Sequence, residues 1–490
     1  MTKKRMIGLA AALAAGFVLT ACGGTAPKLK ADTPVEKEFQ EVSVHDPAIV
    51  EGEDGEYYIF GSHLAVAKTD DLMNWTYVNQ GVKDDNPIIP DVYKVMKDAF
   101  EWSHSNTFWA PDVVRSRNGK YLMYYCNCQG DTPVSCLGLA VSDQVEGPYE
   151  NQGLLLKSGM GADELDEDGN LYQATVDPNT VDPNVFYDKD GRLWMVYGSY
   201  SGGIFIKEMD PDTGLPLESG YGKKLLGGNH LRIEAPYIIY NEDTGYYYLF
   251  LSFGGLDSDG GYNIRVCRSE QPDGPYVDSM GQEMTGCKGP ANTTFSDSTA
   301  MLYGTKLMGG YKFLWQEGEE GEDRKGYLSP GHNSCLYQEE TGKYFIIYHT
   351  RFEDSGEEHQ VRVHQMFFNE EGWPVIAPYR YAEESIEPVS QEEVTGSYKF
   401  INHGREISAE MNESVNIELK KDGTVTGDVE GTYTLTGDYN IHLMIDGKEY
   451  QGVFLKQWDE DGKKYVMTFT ALDDETGVAV WGSGLNALEE

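Results

Sequence analysis

The stretch VDPNVFYDKDGRLWMVYGSY, residues 181–200, decides the fold. It reads as an Asp-Pro opening, a short apolar strand, a Lys-Asp-Gly turn ending at Gly191, and a second, aromatic-rich strand. Asp-Gly between alternating apolar runs is the strongest short-range hairpin signal. The same pattern recurs four more times: HDPAIVEGEDGEYYIFGSH from His45, WAPDVVRSRNGKYLMYYCN from Trp109, EAPYIIYNEDTGYYYLFLS from Glu234 and HNSCLYQEETGKYFIIYHT from His332. Pro47, Pro111 and Pro183 each lie eight residues before their turn glycines Gly55, Gly119 and Gly191. Pro236 and Asn333 lie nine before Gly245 and Gly342.

An all-β unit recurring five times, with no helical pattern between most copies, points to radial repetition: a five-bladed β-propeller. A proline at the first position of a strand tolerates its missing N–H and keeps its predecessor extended. The innermost strand of each blade then starts beside the central channel. Residues at the openings converge on one mouth of that channel: Asp46, Ala110, Asp182, Ala235 and His332, with Trp109 and Glu234 one place earlier. Three carboxylates and an imidazole at one mouth make a site rather than a core.

A formal charge of −41 argues against nucleic acid and anionic membrane surfaces as partners. The first residues read as a targeting segment: Lys3, Lys4 and Arg5, then an apolar run from Ile7 to Leu19 that is too short to span a membrane. Leu19-Thr20-Ala21-Cys22 resembles a bacterial lipobox, which makes 1–21 a lipoprotein signal peptide, Cys22 the lipidated residue and 22–40 a flexible tether. The alternative is an ordinary secretory signal with an incidental cysteine. On the first reading the protein is exported, held at the bacterial cell surface by lipid alone, and a monomer.

Strand and turn texture runs from 41 to 387, interrupted by a helical VYKVMKDAF insert. CLGLAVSDQVEGPYE (136–150) and IRVCRSEQPDGPYV (264–277) are near-copies, which supports the repeat independently. From 395 to 490 short alternating runs are separated by KKDG, LTGD, IDGK, EDGK and DETG, the pattern of a small β-barrel or sandwich. This second domain carries no convergent titratable cluster and reads as ancillary, with a carbohydrate-binding module as the alternative. Cys126, Cys128 and Cys136 fall on two neighbouring strands, open to either one cross-strand disulfide or free burial.

Asp46 and Asp182 fill the same slot and Glu234 lies one residue off it. Inverting hydrolysis of a glycosidic bond needs one carboxylate to activate water and one carboxylic acid to protonate the leaving oxygen, roughly 6.5–9.5 Å apart. A third carboxylate near the acid keeps it protonated. Spacing alone does not assign the three roles. Trp109 is a candidate sugar platform, with packing inside a blade as the alternative; Phe253, His45 and Asn184 are further candidates for substrate contact. Asp112, one residue past its proline, falls on the opposite face and is left out. The small residues of GSYSGGIF (198–205) leave room beside the cleavage point and let a backbone approach closely.

These openings, above all VDPNVFYDKDGRLWMVYGSYSGGIF (181–205), resemble glycoside hydrolase family 43, in its endo-1,5-α-L-arabinanase branch with an extra C-terminal β-domain. The resemblance implies a five-bladed propeller, an inverting mechanism and arabinan, a side chain of pectin, as substrate. It implies Asp46 as general base, Glu234 as general acid and Asp182 as the residue that tunes the acid and orients the sugar. It further implies that His332 holds a calcium ion at the channel axis, largely through water; on chemistry alone His332 reads equally as a satisfied polar residue. Rival readings are an exo-acting α-L-arabinofuranosidase or β-xylosidase, and a non-catalytic glycan-binding surface lipoprotein. Three acids crowded at one point argue against the last, because their repulsion serves no binder.

Overall fold

A computed structural model describes residues 36–488 apart from 131, 162–164, 166–168, 317–318 and 320–323. The signal, the lipobox with Cys22 and the tether as far as Val35 lie outside the described residues.

The chain is all-β and propeller-like. Four antiparallel four-stranded meanders form its blades. Their innermost strands are Ala48–Glu51, Trp109–Arg115, Asn184–Tyr187 and Ile233–Asn241. Each hairpin turn has its glycine at positive φ: 80° at Gly55, 85° at Gly119, 75° at Gly191 and 74° at Gly245. A Cβ at Gly55, Gly119 or Gly245 would meet nothing within 4 Å, so the turn demands conformation there, not space. A further sheet holds Tyr327–Gln338, Lys343–Phe352, His359–Phe368 and Pro374–Ile376. The innermost strands touch in sequence, and Tyr327–Gln338 touches both Ile233–Asn241 and Ala48–Glu51.

Apolar clusters fill the joints between sheets. Phe60, Val66, Met123 and Tyr125 join the first two; Leu122, Leu139, Met195 and Tyr197 the next; Val196, Ile206, Leu249 and Leu251 the third. Val44, Ile59, Phe345 and Ile347 pack the first sheet on the last. Buried tyrosines contribute large rings with a polar end, and those ends are satisfied: Tyr124 donates to the Gly214 carbonyl at 2.7 Å and Tyr125 to Asn151 at 2.8 Å.

The VYKVMKDAF insert forms two short helices, Val92–Val95 and Lys97–Ser103. Cys126, Cys128, Cys136, Cys267, Cys287 and Cys335 are all free and buried.

After the propeller, eight antiparallel strands from Gly396–Asn402 to Val478–Gly484 close on themselves as a barrel. Trp481, wholly buried, packs edge-on to Tyr311 with ring centroids 4.9 Å apart. Lys399 pairs with Glu319 at 2.7 Å, and buried Arg324 pairs with Asp459. The barrel therefore shares core with the propeller.

Candidate active site

The site begins with a departure from the sequence expectation. Three of the four residues before the prolines are not extended: φ is 59° at Asp46, 54° at Asp182 and 55° at Ala235, with 47° at His332 in the equivalent slot, while Ala110 stays within the strand Trp109–Arg115. Left-handed backbone is strained for residues with a Cβ and persists where surrounding structure over-determines it. The registers explain how it is accommodated, because the ladders slip between Glu234 and Tyr237 and between Gly331 and Ser334. A bulge re-aims the side chains at the end of a strand.

Asp46, Asp182, Glu234 and His332 come together, the three carboxylates buried and His332 partly so. Asp46 receives the Ser62 hydroxyl at 2.5 Å and His45 Nδ1 at 2.7 Å on Oδ2, and His332 Nδ1 at 2.9 Å on Oδ1. Burial pushes its pKa up, but the charges of His332 and His45 prevail and hold it well below the usual carboxylate range. Glu234 receives Ser199 Oγ at 2.7 Å and Tyr262 OH at 2.9 Å. Burial raises its pKa against those hydrogen bonds and against His332. Asp182 accepts the Ala235 N–H at 3.2 Å; burial, with the charges of Glu234 and Asp46, pushes it up to about 8 against the pull of His332. One carboxylate is ionised, while a coupled pair beside it retains a proton near neutrality. Despite burial, the three carboxylates lift His332 to about 9.

Among the contact candidates, His45 is anchored on Asp46 and stacked on His349 with centroids 4.0 Å apart. Trp109 is partly buried, packed on Cys126, Cys128 and Val181. Asn184 is not available to sugar. Its Nδ2 donates to Asp112 at 3.1 Å and its Oδ1 accepts Ile238 N–H at 2.9 Å, so it stitches three sheets together. Asp112, which also accepts the Val185 N–H at 2.6 Å, is the other half of that tie. Phe253 is wholly buried, with the Arg265 guanidinium 4.9 Å above its ring. Alternation is the reason: Ser252 pairs across the ladder with Glu234 and accepts the His332 N–H at 2.7 Å, which turns Phe253 to the core. The glycines of GSYSGGIF leave no open space either, since a Cβ at Gly202 or Gly203 would collide with the backbone of Asp177 or Leu226 at 2.3 and 2.1 Å.

Sequence reasoning missed the groups that support the carboxylates. His349 has no exposure, a burial that above all holds its pKa well below the usual imidazole range, and accepts the Asp46 N–H on Nδ1 at 3.2 Å. It steadies the strained backbone of Asp46. Ser62, Ser199 and Tyr262 arrive from the connections at the ends of other strands: Ser62 just after Tyr57–Gly61, Ser199 after Leu193–Tyr197 and Tyr262 just before Asn263–Ser269. Phe295, 54% exposed, stands edge-on to Tyr200 at 5.9 Å, and Tyr200 lies within the field of Glu234. Among these, His349 stands near the end of the second strand of the fifth repeat, Lys343–Phe352, and repeat position is the signal that could have found it.

A propeller mouth with one carboxylate held below its usual range beside a pair held above it has the acid and the base that a glycoside hydrolase requires. Residues 36–307 match the model of glycosyl hydrolases family 43, and 378–482 match the C-terminal lipocalin-like domain found with it; the chain belongs to this family. It is 56% identical over 446 residues to the extracellular endo-α-(1→5)-L-arabinanase 2 of Bacillus subtilis, covering 91% of this chain and 93% of that protein. Among solved structures, a family 43 glycoside hydrolase from Bacillus licheniformis superposes with a TM-score of 0.88 at 55% identity, covering 92% of this chain and 100% of that one. The endo-1,5-α-L-arabinanase from Thermotoga petrophila RKU-1 superposes with a TM-score of 0.87 at 48% identity, with the same coverage.

Proposed function

We propose that the protein is an endo-acting arabinanase that hydrolyses internal α-1,5-L-arabinofuranosidic bonds with inversion. The observation that carries the chemistry is the split of carboxylate pKa values in one buried cluster. Asp46, ionised and held by His45 and His332, takes a proton from the attacking water. Glu234, raised by burial, protonates the leaving oxygen. Asp182 shares that proton with the acid, so the pair releases it only on the alkaline side, and it accepts the Ala235 amide that fixes the acid's backbone. The substrate class and internal cleavage rest on the arabinanase relatives that match nine-tenths of the chain.

The sheet of Tyr327–Gln338 serves as a fifth blade. Its contacts with the first and fourth innermost strands and the apolar joint at Phe345 and Ile347 support that count. Residues 41–387 then form the catalytic domain and 395–490 an ancillary one. A calcium ion fits only as a water-coordinated guest. His332 spends Nδ1 on Asp46, which leaves only its Nε2 to face an ion or its water, and calcium otherwise takes oxygen. Such an ion supplies positive charge and ordered water to the channel floor. The Lys-Arg, apolar and Leu19–Cys22 sequence supports export and lipid anchoring, with the site complete in one monomer.

The test is a time course of product sizes on linear arabinan. A ladder of oligosaccharides with early loss of viscosity is expected. Arabinose as the first dominant product marks an exo-acting enzyme, and no new reducing ends a binding protein.

A further inference from the structure

Beside the base, a cavity of about 1050 Å³ opens between the segment leading into the first sheet, the Phe352–His359 hairpin and a turn of the barrel. Ser43, Tyr77, Phe352, Glu357, His359 and Asp461 are among the residues that line it. Two observations connect it to the catalytic mouth. The His359 ring stands edge-on to His45 at 5.0 Å, and His45 Nδ1 is 2.7 Å from Asp46. Ser43, two residues before His45, donates its N–H to the Tyr77 hydroxyl at 2.7 Å, so the wall is tied to the strand that delivers the base.

The barrel's share of the wall is held in place. Arg380 pairs with both Glu41 and Glu460, and Arg324 reaches Asp459 and, at 4.0 Å, Asp461. The Asp461 side chain nevertheless keeps 46% of its surface exposed. Aromatic rings share this wall with carboxylates, which outnumber the two cations, Lys325 and Arg362. Rings accept the C–H faces of sugars and carboxylates accept their hydroxyls, while several carboxylates together repel an anionic chain. Small-ligand pockets run to about 300–1,000 Å³, so this one has room for more than one sugar unit.

We propose that this cavity is a distal subsite for a neutral oligosaccharide whose scissile bond lies at Asp46 and Glu234, and that the barrel turn Glu460–Asp461 forms its outer wall. The proposal rests on the arabinanase reading and makes the barrel part of substrate recognition. Binding energy gathered here is used at the distant bond, so it acts only on chains long enough to reach.

The experiment compares kcat/KM on a long linear arabino-oligosaccharide with that on the shortest one cleaved, for the full chain and two variants. Glu358→Trp fills the cavity from an exposed position, and Asp461→Ala removes the barrel's carboxylate. Loss of one such contact lowers kcat/KM on the long chain by about tenfold and leaves the short chain unchanged. Melting temperatures verify that both variants fold; Glu358→Trp, at the exposed site, decides alone if Asp461→Ala does not. Equal losses on both lengths, or none, overturn the distal subsite while the arabinanase reading stands. A wild-type chain inert on every arabinan length removes that reading, and the subsite with it.

Discussion

At the propeller mouth, residues with side chains and left-handed backbone crowd together: Asp46, Asp182, Tyr200, Ser201, Asn229, His230, Ala235 and His332. In the barrel, among the described residues, the only such positions are Asp446 and Lys463, both in hairpin turns. Both regions are antiparallel sheets joined by tight turns. The barrel uses that geometry where it is cheapest, as in the Asp446-Gly447 turn between Ile445 and Lys448. The mouth departs from it to aim three carboxylates and an imidazole at one point. Strain and uncompensated burial gather where chemistry needs them, and regular pairing elsewhere offsets them.

The largest expected effect separates the regions by activity. Asp46→Asn and Glu234→Gln each lower kcat about 10²–10⁴-fold while the melting temperature stays near wild type, whereas Glu418→Gln on the exposed barrel surface changes neither. Equal kcat in Glu234→Gln and wild type removes the acid assignment.

Stability draws the next contrast. Trp481→Ala empties the joint between barrel and propeller and destabilises the chain by about 3–5 kcal/mol, read by denaturant unfolding, with kcat little changed in the folded fraction. A single transition shifted as a whole means the two regions unfold together; two transitions mean the barrel melts by itself.

The pH profile sharpens the electrostatic half. Asp46 has its pKa lowered, so it stays ionised on the acid side until below the ordinary carboxylate range. Asp182, raised to about 8, with Glu234 also raised, gives up the shared proton on the alkaline side. Activity is therefore expected to fall as pH rises through about 8 and to persist well below neutrality. The sign for stability is separate. His332, lifted from 6.5 to about 9, stabilises the fold fully below pH 6.5 and loses that contribution as pH rises through 9. The melting-temperature gap between wild type and His332→Gln, measured in chelator, should shrink over that window.

The smallest effect tests strain directly. Ala235→Gly removes the Cβ from a φ of 55°, and relief of left-handed strain against lost backbone restriction leaves a net change of within about 1 kcal/mol. The same change in a regular barrel strand, Ala471→Gly, is only destabilising. Matching losses at the two positions would mean that Ala235 carries no strain.

Much of this was legible because it is local. Proline, turn glycine and alternating apolar residues act within a few positions, so the hairpins, the helical insert and the β-rich C-terminal region follow from the chain alone. Positional equivalence brought Asp46, Asp182, Glu234 and His332 to one mouth. Nearness in sequence misled for Asn184 and Phe253, because the face on which a side chain emerges depends on bulges and register. Asn184 became a tie to Asp112, and Phe253 a ring beneath Arg265.

By itself, then, the sequence determined which groups reach the channel and that they are acids around an imidazole. Only the tertiary structure decided their charge states and their supports. Ser62, Ser199 and Tyr262 meet the carboxylates through hydrogen bonds, and His349 accepts the backbone N–H of Asp46. The low pKa of Asp46 and the raised values of Asp182 and Glu234 come from burial and from neighbours distant in sequence. The left-handed backbone at the openings exists because packing imposes it against local preference. A chain encodes its local preferences residue by residue, but the dielectric and the charges around a buried group arise only when distant segments close over it.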